Sequence, residues 1–108
     1  MMVVDDGVLE SLRSTIRCRD SSACLDAMLG LYREFGLRNL ESIPRTRAGA
    51  LAMLAEVHYG LVVNGFLAAD VGSMAVHFAC EALDTMSDGL IEALLQDTLE
   101  VEVESDCC

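Results

Sequence analysis

Apolar residues recur along this chain at intervals of three and four positions, the spacing that places side chains on one face of an α-helix. The apolar positions of the first such segment are Val8, Leu9, Leu12 and Ile16. Asp5 or Asp6 stands just before them and is expected to cap the helix. The pattern therefore predicts a first helix that ends at the polar break over residues 18–22.

The second segment places five large apolar side chains on one side, Leu25, Met28, Leu29, Tyr32 and Phe35. Ser21 or Ser22 is expected to cap its start, and Gly36 stands where a C-cap glycine belongs. Residues 36–44 are predicted to form a connector. Pro44 at its end suits the first turn of the helix that follows.

A third helix is predicted over about residues 45–63. Its apolar stripe is Ala50, Leu51, Leu54, Val57, His58 and Leu61. Asn64-Gly65 ends this helix, although an Asn-Gly pair between apolar runs is also the strongest short signal for a β-hairpin. Because residues 61–63 do not alternate and helical spacing resumes afterwards, a helical hairpin is favoured over a β-hairpin.

The fourth helix is predicted over about residues 68–86. Its inward positions are Val71, Met74, Ala75, Phe78, Ala82 and Met86. Small residues at positions 68, 72, 75 and 79 would let another backbone come close to this helix. Ser87 or Asp88 is expected to cap a fifth helix. Its inward residues are Leu90, Ile91, Leu94, Leu95 and Leu99.

Together these segments predict an all-α fold, a small compact bundle of four to five short helices forming one domain over residues 1–99. The helices at 45–63 and 68–86 are expected to form its spine. Residues 100–108 are interpreted as an acidic C-terminal tail. Acidic and apolar residues alternate at its start as in a β-strand, but a lone strand would have nothing to pair with.

Hydrophobic residues make up 53% of the 108 residues, and the mean hydropathy is +0.39. A domain of this size has too much surface to hide so many apolar side chains. Part of the excess is therefore expected at an interface, for example in a homodimer through the apolar faces of helices 45–63 and 68–86. A membrane span over residues 48–69 is disfavoured because Glu56 lies near its middle.

Cysteine usage and the N-terminus indicate a cytoplasmic, reducing location. The five cysteines are odd in number and form no CxxC motif, and the chain does not start with the basic and apolar regions of a secretory signal. Cys107 and Cys108 do not form a CaaX box, which needs its cysteine fourth from the end. They are interpreted as part of the solvated tail.

Charge is distributed unevenly along the chain. All seven basic residues are arginines within the first 47 positions, where seven acidic residues balance them, so the formal charge of −11 belongs to residues 48–108. A field of this sign repels phosphate backbones and anionic membranes and attracts basic protein surfaces. Direct binding of nucleic acid or membrane is therefore not expected.

Acidic residues recur every three to five positions through the fourth and fifth helices, with no basic residue between them. They would form a ridge of like charge, and docking on a basic surface would offset its self-repulsion. The candidate contact residues are Glu81, Asp84, Asp88, Glu92 and Asp97, with Glu100 and Glu102 at the margin. Alternatively, the N-terminal arginines of a second copy would supply the countercharge.

A metal site and an enzyme active site are both disfavoured. His77, Cys80 and Glu81 lie at helical spacing and could bind a metal together with His58 or Glu56, but a core histidine beside a buried thiol explains them more simply. Thiols in apolar helices are inert packing groups, and the glycines lack phosphate-loop spacing. No cofactor, metal or catalytic residue is expected.

The sequence thus predicts a non-enzymatic binding protein that inhibits or escorts a partner by docking an acidic helical face on its basic surface. Inhibitors that occupy nucleic-acid channels fit this description, including phage-encoded, anti-CRISPR-like blockers of defence nucleases. Immunity proteins and antitoxins fit it as well. The alternatives are a self-associating structural subunit, a secretion chaperone, or a metal-binding helical protein.

Overall fold

The computed structural model describes the backbone of residues 4–34 and 44–106 and the side chains of residues 4–32 and 44–97. These residues form five helices and no strand, which confirms the all-α prediction. The helices are α1 (Asp6–Arg17), α2 (Ser21–Glu34), α3 (Arg47–Val63), α4 (Ala69–Asp84) and α5 (Asp88–Asp106).

The helix starts follow the capping residues in the sequence, with one difference. Asp5 caps α1, where its carboxylate accepts a 2.6 Å hydrogen bond from the Gly7 N–H. Asp20 caps α2 by accepting from the Ala23 N–H at 3.1 Å, so the prediction of Ser21 or Ser22 as the cap was wrong. The physical reason is that both serines already lie in the first turn of α2.

The third helix begins two residues later than predicted, because Thr46 caps it by accepting from the Gly49 N–H at 3.3 Å. At its other end the Gly65 N–H bonds to Val62 O and the Phe66 N–H bonds to Leu61 O. These are the two hydrogen bonds of a Schellman motif, and Gly65 takes the positive φ of 78° that the motif requires. Asn64-Gly65 therefore joins two helices and not two strands.

The most extensive helix contact is between α2 and α4, not within the predicted spine of α3 and α4. The α3–α4 pair does pack together, and α3 also contacts α2 and α5. Helix α1 lies against α2 and α4. Helix α2 is central because buried side chains such as Leu25, Met28 and Leu31 lie on several of its sides.

Close packing around α4 depends on its small residues, as predicted for positions 72, 75 and 79, which are buried, whereas Ala68 is exposed. The Cys24 thiol of α2 donates a 3.2 Å hydrogen bond to the backbone oxygen of Ala75. On the α3 side, a Cβ on Gly72 would lie 2.7 Å from His58 Cδ2. Small side chains thus let two helices approach the α4 backbone.

Three residues predicted to point inward are instead exposed, Leu51 by 43%, Met74 by 44% and Leu90 by 60%. The apolar stripes in the sequence are wider than the faces that the bundle covers. In α5, for example, Ile91 and Leu95 lie one turn apart in the core, and Leu90 is about 100° away from Ile91 around the helix.

Helix α5 starts as predicted, because the Ser87 hydroxyl accepts from the Leu90 N–H at 3.3 Å. Its backbone runs to Asp106, into the segment interpreted as a tail. Within residues 4–34 and 44–106, no helix has both the length and the apolar character needed to cross a bilayer. Several predictions concern backbone or side chains outside the described residues, namely those for Phe35, Gly36, Leu99, Glu100, Glu102, Cys107 and Cys108.

Candidate partner-binding surface

The side of α4 that faces away from the core carries a row of exposed residues spaced by four, three, four and three positions. They are Asp70, Met74, His77, Glu81 and Asp84, here called the α4 outer face. This spacing puts them on one stripe of the helix, opposite the buried small residues. The bundle therefore displays three carboxylates of one helix on the same side.

Two of the predicted contact residues, Glu81 and Asp84, lie on the α4 outer face. One carboxylate oxygen of Glu81 accepts a hydrogen bond from the Ser21 hydroxyl at 3.2 Å, and the other lies 3.4 Å from His77 Nε2. Glu81 is thus held against the start of α2 and beside an imidazole. Asp84 has no ion pair among the described side chains.

Beyond the turn between α4 and α5, Asp88 and Glu92 are two further exposed carboxylates, one turn apart on α5. Asp88 Oδ1 is 3.5 Å from Arg47 Nη2, yet the Asp88 side chain remains 95% exposed. Glu92 is exposed and makes no ion pair within the described part of the chain. We call Asp70, Glu81, Asp84, Asp88 and Glu92 together the acidic patch.

Asp97, the last predicted contact residue with a described side chain, is exposed but lies elsewhere. It follows Glu92 by five residues, which places it about 140° around α5 from Glu92. Asp97 is therefore outside the acidic patch. Asp70, by contrast, belongs to the patch but was missed by the sequence reasoning, although it is eleven residues, or three turns, before Glu81.

A second exposed surface lies on α3. Its residues are Ala48, Leu51, Ala52, Ala55, Tyr59 and Val63, here called the α3 outer face. Tyr59 is 71% exposed and Val63 is 60% exposed, and Glu56 is the only acidic or basic residue of α3 after Arg47, the histidine aside. Helix α3 is thus apolar on almost all sides, although the described bundle covers only one of them.

The described thiols of Cys24 and Cys80 act as packing groups. Burial raises the pKa of both thiols, and nearby Asp84 raises that of Cys80 further, so both stay protonated at neutral pH. His77 and Glu81 are neighbours, but no group of three or more His, Cys, Asp or Glu side chains among residues 4–32 and 44–97 is placed to hold a metal ion. The metal-binding alternative gains no support from these residues.

Comparison with other proteins adds no further assignment to these surfaces. No protein-family description, curated protein or solved structure matches this chain.

Proposed function

We propose that this chain is a non-enzymatic binding protein that docks its acidic patch on a basic surface of a partner protein. The observation that carries the proposal is the exposure of five carboxylates on α4 and α5, of which only Asp88 has an arginine within ion-pair distance among the described residues. Surface helices normally interleave both charges, because opposite charges one turn apart stabilise a helix. Here the countercharge is supplied by the partner.

The partner's surface is one that ordinarily binds nucleic acid. Such surfaces display clustered lysine and arginine side chains that neutralise phosphates, and a row of carboxylates competes for the same cations. An acidic protein that covers them acts as an inhibitor, and one that releases them later acts as an escort. Electrostatic steering would make the association fast and strongly dependent on salt.

Paired charge reversals distinguish an effect of the acidic patch on binding from an effect of the protein's net charge. Asp84→Lys with Glu92→Lys changes the patch and leaves the Arg47–Asp88 contact intact. Glu56→Lys with Asp97→Lys makes the same change in net charge at exposed positions outside the patch. Each protein is immobilised and exposed to native lysate, with and without duplex DNA as competitor.

The wild type and the Glu56/Asp97 variant are expected to retain the same DNA-binding protein, which DNA or high salt releases. The Asp84/Glu92 variant is expected to retain none. Equal retention by both variants would show that general charge, and not this patch, captures the protein.

A second function, self-association as a structural subunit, is favoured by the α3 outer face. A helix that is apolar on all sides is ordinarily buried on all sides. This face also has little charge, so two copies of a chain with net charge −11 could meet there with less repulsion than elsewhere. Its three alanines would allow close approach of two helices.

Light scattering at several salt concentrations tests this second function. A dimer that persists at high salt, and that Ala55→Glu disrupts while Ala93→Glu on α5 does not, would support it. A wild-type monomer at all concentrations would exclude it.

A further inference from the structure

An open groove of about 540 Å³ lies between the C-terminal half of α1 and the start of α4. Its floor is apolar and is formed mainly by Ile16, Leu67, Val71 and Met74. Its remaining side chains include three arginines, Arg13, Arg17 and Arg19. A concave apolar site with a few charged groups at its edge is the usual form of a small-molecule site.

Two of the arginines make hydrogen bonds to other groups of the protein. Arg13 Nη2 donates a 3.0 Å hydrogen bond to the backbone oxygen of Phe66, which ties α1 to the turn between α3 and α4. Arg17 Nη2 lies 2.8 Å from Glu10 Oε1, and this hydrogen bond holds the pKa of Glu10 below its ordinary value. The Arg13 guanidinium is therefore held at the groove before any ligand arrives, whereas the exposed Arg17–Glu10 pair restrains Arg17 only weakly.

The third arginine occupies a backbone position that normally selects glycine. Arg19 has a φ of 55°, its N–H bonds to Ile16 O, and the next N–H, that of Asp20, bonds to Thr15 O. These are the hydrogen bonds of a Schellman motif with Arg19 at the left-handed position. Any side chain with a Cβ is disfavoured there by about 1–2 kcal/mol relative to glycine.

Nothing in the described fold makes use of the Arg19 side chain. It is exposed, and it has no hydrogen bond or ion pair with any described residue. Residues held in sparsely populated backbone regions cluster at active sites and ligand-binding sites. The strained backbone at Arg19 and the position of its side chain in the groove both indicate that Arg19 contacts a ligand there.

We infer that the groove binds a small amphiphile with an apolar chain and a single carboxylate head group, such as a fatty acid. The apolar floor covers the chain, and the arginines bind the carboxylate with paired, charge-assisted hydrogen bonds. A free phosphate would leave the floor uncovered. A polyanion, including the acidic patch of a second copy, would meet exposed carboxylates beside the groove, such as Glu10, Asp20 and Asp70.

Calorimetric titration with dodecanoate, below the concentration at which it forms micelles, tests the site. The wild type is expected to bind one dodecanoate per chain. Butyrate, which lacks the long chain, and dodecyltrimethylammonium, which reverses the charge, are each expected to bind at least tenfold more weakly.

Arg19→Gly is the informative variant, because relief of the strained backbone should leave the protein as stable as the wild type or more stable. Its affinity for dodecanoate should fall about tenfold or more, the equivalent of one charge-assisted hydrogen bond. If this variant binds dodecanoate more weakly, unfolding of the protein is therefore not the cause.

A matched pair of variants locates the site. Met74→Glu places a carboxylate in the groove and should abolish dodecanoate binding, whereas Leu90→Glu makes a like change at an exposed position of α5 and should preserve it. Unchanged affinity in Arg19→Gly, or equal binding of dodecyltrimethylammonium, would overturn the inference. So would a wild type that ignores dodecanoate but forms dimers that Arg19→Gly dissociates, because a second copy would then be the occupant.

Discussion

Arg47, the first residue of α3, donates a 2.9 Å hydrogen bond from Nη2 to the backbone oxygen of Met86. Its Nη1 also donates to the backbone oxygen of Leu83, and Nη2 lies 3.5 Å from Asp88 Oδ1. The last basic residue of the sequence thus satisfies carbonyl groups at the end of α4 and orients the first acid of α5. This arginine shapes the turn at which the two parts of the acidic patch meet.

Replacing Arg47 by Gln should lower the free energy of unfolding by about 2–3 kcal/mol, because half-buried carbonyl oxygens lose a charged donor. Replacing Arg47 by Lys should leave the protein more stable than the Gln variant but less stable than the wild type, because an ammonium group lacks the planar guanidinium that donates to several acceptors at once. Urea denaturation measures the difference.

Arg17→Gln is the control, because the Arg17–Glu10 pair is exposed and solvent screening leaves such a pair little net effect on stability. Equal losses in Arg47→Gln and Arg17→Gln would contradict the role assigned to Arg47.

Gly72→Ala should destabilise the protein by about 1–3 kcal/mol, the usual range for overpacking. The new Cβ would lie 2.7 Å from His58 Cδ2 and 2.9 Å from Val62 Cγ2, and the β-branched Val62 side chain is too stiff at χ1 to move aside freely. Thermal or urea unfolding gives the change.

Gly30→Ala in α2 is the matched control, since a Cβ there meets nothing within 4 Å. That variant should gain about 0.5–1 kcal/mol from the better helix propensity of alanine. A Gly72→Ala protein as stable as Gly30→Ala would show that α3 and α4 do not depend on this close approach.

How much of this architecture could be predicted from sequence depended on the range of the interactions. The caps by Asp5 and Ser87 and the turn at Gly65 were predictable, because each depends on a few neighbouring residues. The bonds of Arg47 were not, because their acceptors lie 36 to 41 residues further along the chain. Only the packing of α3 against the end of α4 brings these groups together.

The same distinction explains which surface residues were missed. An apolar residue such as Met74 fits a helical stripe whether or not another helix covers it, and α4 leaves it exposed. The groove was not predicted at all, since it requires α1 and the start of α4 to be placed side by side. In the sequence, Arg19 was recognisable only as part of the polar segment that ends α1. Its left-handed backbone conformation is visible only in the structure.

The ion pair between Glu10 and Arg17 predicts a change of stability with pH. The Arg17 hydrogen bond, followed by the Arg17 charge, lowers the pKa of Glu10 in the folded state below its ordinary value of 4.5. A group whose pKa is lowered by folding stabilises the protein above its unfolded pKa and loses that effect as pH falls through its folded pKa. The contribution should therefore be complete at neutral pH and vanish in acid.

An NMR titration of the Glu10 carboxyl group in the wild type and in Arg17→Gln tests this. The pKa should move back towards 4.5 in the variant, and the stability advantage of wild type over Glu10→Gln should disappear below the folded pKa. If Glu10 titrates identically in the two proteins, Arg17 does not lower the pKa of Glu10 and the pair does not contribute to the pH dependence of stability.

The central claim is that the acidic patch, with most of its charge uncompensated within the described chain, forms the binding surface. The most direct measurement is the affinity of the purified DNA-competed partner for wild type, for Asp84→Lys with Glu92→Lys, and for Glu56→Lys with Asp97→Lys, each at several salt concentrations. We predict that the affinity of the wild type falls steeply as salt is added. At low salt the Asp84/Glu92 variant should bind the partner at least a hundredfold more weakly than the wild type, in line with the size of close interfacial charge effects. The affinity of the Glu56/Asp97 variant should stay within a few-fold of the wild-type value. Equal affinities for all three proteins, or an affinity that salt does not change, would contradict the claim.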